Sequence, residues 1–189
     1  LSYPLIDTDH AIAKKAGKSI PKIFAEDGEE AFRKMETDLL EELLEKEGNI
    51  IATGGGIVGS ERNRNILRRL GYVVWLAASP EEILDRTSRN NNRPLLNNED
   101  PSGTILRLLA ERNPLYSEAS HLNIETDQLC FDEICNGIIE SARYHYGTKS
   151  VPHTHLTLPT IFRVQLSLLA LSVTTVNHTF TRTQPQASN

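Results

Sequence analysis

The stretch with the clearest chemical potential is Asn49-Ile50-Ile51-Ala52-Thr53-Gly54-Gly55-Gly56. An apolar run ending in consecutive glycines reads as a buried strand entering a turn, and Ser60 to Leu70 reads as the helix that follows. Strand, glycine turn and helix together can cradle an anion, because glycines let backbone N–H groups approach closely and a helix start adds a positive dipole end. A nucleotide phosphate loop also needs a Lys-Ser or Lys-Thr pair, and none follows these glycines. Arg33 and Glu36 stand one helical turn apart, and by spacing alone they read as an exposed ion pair of little energetic weight. Asp7-Thr8-Asp9 sits where a strand end enters a helix, with Asp9 or Thr8 available as its cap. Cys130 and Cys135 flank a helix start with divergent side chains, which disfavours a disulfide and fits a reducing cytoplasm. His153 and His155 are too few for a metal site.

These residues need elements to position them. Leu5-Ile6 ends a strand, and Ala11 to Ala16 form a short helix closed by Gly17. Ser19-Ile20-Pro21 starts a second short helix with proline in its first turn. Gly28 to Lys46 carries Phe32, Met35, Leu39, Leu43 and Leu44 at helical spacing, with charges on the other face. Tyr72 to Leu76 is a continuous apolar run of the kind found in parallel sheets covered on both faces. Ser79-Pro80-Glu81-Glu82 opens a helix with its cap, its proline and its acidic first turn. The asparagine-rich segment 90–98 reads as a loop, Ser102 to Arg112 as a helix, Leu122 to Ile124 as a last strand and Phe131 to Tyr144 as a closing helix. Strands alternating with helices imply an α/β fold with a parallel sheet.

A chain of 189 residues with these proportions holds one domain with a sizeable core. Its net charge of -5 argues against a nucleic-acid binder, which usually carries a basic stripe, and favours a small-molecule partner. No apolar stretch is long enough to span a bilayer, so no membrane partner is expected. From Thr148 to Asn189 acidic residues vanish while Ser, Thr, Pro and Asn accumulate. Residues 1–147 are therefore read as the domain and 148–189 as a non-domain tail, disordered or foreign, whose short apolar run at 164–173 has no element to pack against.

Five signatures then fall in a recognisable order: Asp7-Thr8-Asp9, Phe32-Arg33-Lys34-Met35-Glu36, Gly54-Gly55-Gly56, Arg93-Pro94-Leu95-Leu96 and Glu111-Arg112-Asn113-Pro114-Leu115-Tyr116. Together they resemble shikimate kinase, over Leu1 to about Tyr146. The resemblance implies a P-loop nucleoside monophosphate kinase-like three-layer sandwich with parallel strand order 2-3-1-4-5, and transfer of the γ-phosphoryl of ATP to the 3-hydroxyl of shikimate in chorismate and aromatic amino acid biosynthesis. It implies ATP and Mg²⁺ as cofactors, shikimate as substrate, a cytoplasmic setting and a monomer. The family's first strand and its phosphate loop, a Walker A sequence, are missing from the sequence. The expectation is thus a sheet with a central gap, an unstable or misassembled isolated chain, and a kinase fragment inactive as it stands.

Carried over residue by residue, the resemblance makes Asp9 the acceptor for substrate hydroxyls and the candidate base, a role that phosphoryl transfer does not depend on heavily. Arg33 and Arg112 would hold the substrate carboxylate, since a guanidinium fork matches it in a bidentate way, and Glu36 would fix Arg33. Gly54, Gly55 and Gly56 would face the substrate ring. Arg93, in a lid, would neutralise charge on the phosphates, and Arg86 would stack on adenine. Asp7 would lie near Mg²⁺ through water. Phe24 and Phe32 could touch the ring but are as readily core, and Tyr116 reads as core or support. Two other functions compete: a non-catalytic shikimate kinase-like binding domain, and a gluconate-type small-molecule kinase on the same fold.

Overall fold

The computed structural model describes residues 3–88 and 100–147 and the strand Leu166–Ala170. Five strands form one sheet: β1 (Leu5–Asp7), β2 (Ile50–Gly54), β3 (Tyr72–Ala77), β4 (Leu122–Glu125) and β5 (Leu166–Ala170). Every pairing is parallel, and the order is β1-β2-β5-β3-β4. Seven helices connect or flank the described strands: α1 (Thr8–Ala16), α2 (Ile20–Glu26), α3 (Gly28–Leu43), α4 (Glu61–Leu70), α5 (Pro80–Ser88), α6 (Pro101–Ala119) and α7 (Phe131–Gly147). Parallel strands need crossovers, and here helices supply them.

Strand alternation explains the layers. Ile6, Ile51, Val73 and Trp75 face one side and join a core with Ile12, Phe32, Leu40, Leu67 and Tyr116 from α1, α3, α4 and α6. Ile50, Tyr72, Val74, Leu122 and Ile124 face the other side and meet Ile138 and Ala142 of α7. Sheet residues are thus packed on both faces, which is why Tyr72-Val73-Val74 is an unbroken apolar run. Side chains such as Leu40 and Ile51, with no exposed surface, each contribute about 1.5–3 kcal/mol of burial.

Local chemistry sets the helix ends. Gly17, at φ 65°, closes α1 in the left-handed region that glycine enters without penalty. The α1 cap differs from the sequence expectation: Asp7, not Asp9 or Thr8, accepts a hydrogen bond from His10 N–H at 2.8 Å. A residue at the cap position aims its carboxylate at the N–H groups of the first turn, whereas Thr8 and Asp9 already lie inside the helix. Ser60 caps α4, as Ser79 does α5, accepting from Glu82 N–H at 3.3 Å. The helix predicted over 102–112 runs on to Ala119 and contains Pro114. Proline there removes one backbone hydrogen bond, and burial of Tyr116 and Ala119 beyond it offsets the loss.

The sheet has no central gap. Leu166–Ala170, from the segment read as a tail, lies between β2 and β3, with Ile51 opposite Ser167 and Val74 opposite Leu168. An unpaired strand edge is costly, and any apolar extended segment within reach can satisfy it. With β5 in the place of a first strand, the observed order reproduces the expected 2-3-1-4-5. Both cysteines are free thiols, and no helix among the described residues is long and apolar enough to cross a membrane.

Candidate functional site

All strands point the same way, so β1 and β2 deliver their carboxyl ends to one edge, where ligand crevices form in open α/β sheets. Asp9 enters this edge in the first turn of α1, directly after β1. Gly54 ends β2, and the chain then tightens into a 3₁₀ turn over Gly55–Gly59. None of Gly54, Gly55 and Gly56 has a positive φ, so conformational freedom is not what requires glycine here. Space is. A methyl group on Gly54 would stand 3.4 Å from Asp9 Oδ1, and one on Gly56 would stand 2.5 Å from Arg33 Nη1.

Arg33 projects from α3 into this corner. Its Nη1 donates to Glu36 Oε2 at 2.8 Å, and its Nη2 donates to Glu29 Oε1 at 2.9 Å. The Glu36 side chain is 1% exposed and that of Arg33 28%, so this is no surface pair. Burial works against the Arg33 charge, but Glu36 and Glu29 outweigh it and raise its pKa above the ordinary value. Glu36 shows the opposite balance: burial pushes its carboxyl above the usual range, although Arg33 pulls it down. The two directions differ because desolvation falls harder on the more deeply buried partner. Asp9 and Arg112 also act on the Glu36 charge, raising and lowering its pKa respectively, which places both in the same electrostatic neighbourhood.

Asp9, Arg33, Gly54, Gly55, Gly56 and Arg112 therefore converge from α1, α3, α6 and the end of β2. Their chemistry is that of an anion site with a carboxylate beside it: the Arg33 guanidinium, oriented by a buried Glu36, stands against a wall without side chains, with the Arg112 charge in the same neighbourhood. Phe32 is core and lies against Phe24, ring centroids 4.9 Å apart. Arg86 sits over the other half of the same sheet edge, donating to Glu82 Oε1 at 2.7 Å and to Thr126 Oγ1 at 3.4 Å. Arg93, with the loop around it, and His153 and His155 lie outside the described residues. Asp7 has one oxygen occupied by the α1 cap. Among the described residues no group of three or more His, Cys, Asp or Glu side chains could hold a metal.

Tyr116, read from the sequence as core or support, is both, whereas the support from Arg64 has no counterpart in that reading. The Tyr116 hydroxyl donates to Gly55 O at 2.8 Å, and Arg64 Nη1 donates to Val58 O at 2.9 Å while its Nε lies 3.1 Å from Glu118. Helix α6 thereby holds the 3₁₀ turn near both ends. The available signal was the four-residue step from Arg112 to Tyr116, which puts them on one helix face. A cleft of about 490 Å³ lies elsewhere, lined by Trp75, Ser79, Leu109, Asn113, Asn123 and Asp127. None of the predicted site residues lines it.

Known proteins are similar to this chain in sequence and fold. The family model for shikimate kinase matches residues 1–143. A shikimate kinase of Bordetella avium is 43% identical over 139 residues, covering 74% of this chain and 66% of that protein. One from Symbiobacterium thermophilum is 39% identical over 142 residues, covering 74% of this chain and 82% of that protein. Among solved structures, the Acinetobacter baumannii shikimate kinase in complex with shikimate superposes with a TM-score of 0.72 at 39% identity, covering 78% of this chain and 80% of that one. The Aquifex aeolicus shikimate kinase gives 0.63 at 31% identity, covering 77% and 84%.

Proposed function

Because the chain belongs to the shikimate kinase family, we propose that its site binds shikimate and serves ATP-dependent phosphorylation of the shikimate 3-hydroxyl. The observation that carries this reading is the convergence of Arg33, braced by buried Glu36, with Arg112 and Asp9 at the glycine wall. Arg33 and Arg112 hold the substrate carboxylate, and each charged hydrogen bond contributes about 1.5–3 kcal/mol. The backbone of Gly54–Gly56 lies against the ring. Asp9 accepts hydrogen bonds from the ring hydroxyls, orients the attacking oxygen and receives its proton.

Phosphoryl transfer is mostly positioning and charge neutralisation. Arg93 is assigned to the transferring phosphoryl group and Arg86 to the base of ATP. The one glycine-Lys-Ser run in the 189 residues, Gly17-Lys18-Ser19, has Ile12 where a phosphate loop needs its first glycine and follows α1 as its cap, so it is no phosphate loop and the chain supplies the substrate half of the site. Mg²⁺ accompanies ATP in this chemistry, and Asp7, whose Oδ1 caps α1, would lie near it through water with its other oxygen. No step is assigned to a metal. A cytoplasmic monomer, with a kinase domain over residues 1–147 to which β5 is added, completes the proposal.

The test is to follow ATP-dependent phosphorylation of shikimate by the chain alone and by the chain extended upstream with a strand and a phosphate loop. Activity only in the extended chain, lowered by Asp9→Asn and by Arg33→Ala, is expected. Rates unchanged in both variants would reject the assignment.

A further inference from the structure

Tyr116 is one of the largest fully buried side chains, yet it carries a hydroxyl. That hydroxyl donates to Gly55 O at 2.8 Å, joining positions 61 residues apart. Its ring stacks on Trp75 of β3, centroids 5.3 Å apart and 28° between planes, a packing contact separate from the bond its hydroxyl makes. A trans peptide is planar, with its C=O and N–H pointing in opposite directions. Tying Gly55 O to the core through Tyr116 therefore aims the N–H of Gly56 away from the core. This N–H lies in the first turn of the 3₁₀ segment, before the i to i+3 pattern supplies a carbonyl for it. Arg33 stands against the Cβ position of Gly56, and Asp9 against that of Gly54.

Resting on the reading of Gly54–Gly56 as the substrate wall, we propose that Tyr116 is a positioning residue: its hydroxyl sets the Gly55–Gly56 peptide plane so that the Gly56 N–H faces the shikimate ring. It touches no substrate atom. Because Arg112 lies one turn earlier on the same face of α6, the helix that carries half of the carboxylate clamp also sets the wall opposite it. Affinity for shikimate thereby depends on a buried hydroxyl, separately from the packing of the ring that bears it.

Calorimetric titration of the full chain with shikimate, together with thermal melting, distinguishes this from a purely structural role. Tyr116→Phe keeps the ring and deletes the donor, whereas Trp75→Phe shrinks the stack and keeps the hydroxyl. Affinity about tenfold weaker in Tyr116→Phe is expected, with Trp75→Phe within about twofold of the parent even though its melting temperature falls at least as far. Equal affinity in Tyr116→Phe and the parent chain overturns the proposal and leaves the functional reading intact. Weakening in both variants in step with their loss of stability also overturns it. Absence of binding by the parent chain overturns the functional reading, and the proposal with it. Should Tyr116→Phe fail to fold, 3-fluorotyrosine at position 116 keeps the hydroxyl and gives a fluorine resonance. That resonance is expected to move on addition of shikimate, and an unmoved signal overturns the proposal.

Discussion

Gly56 and Arg33 compete for one volume: a methyl group on Gly56 would fall 2.5 Å from the Nη1 of Arg33. The backbone of Gly56 is ordinary in φ, so glycine is required by the guanidinium beside it and not by the turn. The clash falls on the far end of a flexible side chain, which can swing away. Gly56→Ala is therefore predicted to fold normally and to displace Arg33, weakening shikimate binding by about 1.5–3 kcal/mol. Calorimetry and a thermal melt check both halves, and a large drop in melting temperature with unchanged affinity would refute the account.

Arg33 and Arg112 are predicted to act on the same carboxylate. Arg33→Lys keeps the charge and loses the fork, so affinity should fall by about 1–2 kcal/mol even though the net charge is unchanged. A double-mutant cycle with Arg112→Ala should give coupling of about 0.5–3 kcal/mol in shikimate binding, because the two forks share a ligand. Strict additivity would show that they bind different groups.

Glu36 predicts a pH signature. Its pKa is raised above 4.5, first by burial, so the folded chain holds this proton more tightly than the unfolded chain. Unfolding then releases a proton in the window between 4.5 and the raised value, and the Glu36 contribution to stability falls as pH rises through that window. Denaturation of the parent and of Glu36→Gln across this range should differ in slope in that direction. Protonated Glu36 also ceases to brace Arg33, so shikimate affinity should weaken as pH drops below the raised pKa. Parallel stability curves for the two proteins would contradict both statements.

The strand β5 predicts a truncation effect. Ending the chain at Gly147 exposes the facing edges of β2 and β3, which now pair with Leu166–Ala170. The loss should be on the order of 3 kcal/mol or more, from several backbone hydrogen bonds. Urea denaturation checks this, and an unchanged midpoint would mean that the strand does not hold the sheet together in solution.

Much of this was legible in residue order because it depends on local chemistry. Gly17 as a left-handed cap, the stripe on α3, the unbroken apolar β3 and the turn-spaced Arg33 and Glu36 all follow from short-range spacing. What spacing could not reveal was burial: the same Arg33–Glu36 interval describes an exposed pair or the buried one found here. The Tyr116 hydroxyl on Gly55, the Arg64 contact with Glu118 and the pairing of β5 join distant parts of the chain, so no window of neighbouring residues contains them. Residues 113–119 were missed for a different reason. Pro114 argues for a helix end, and only the burial of Tyr116 and Ala119 outweighs it.

The central claim is that Arg33 and Arg112 clamp the carboxylate of shikimate at the glycine wall, and the most direct measurement is a paired titration of the full chain with shikimate and with its methyl ester. The account predicts that shikimate binds and that the ester, which lacks the charge, binds about 2–4 kcal/mol more weakly, with the difference largely lost in Arg33→Ala. Equal affinity for the two ligands, or a difference that survives in Arg33→Ala, would contradict it.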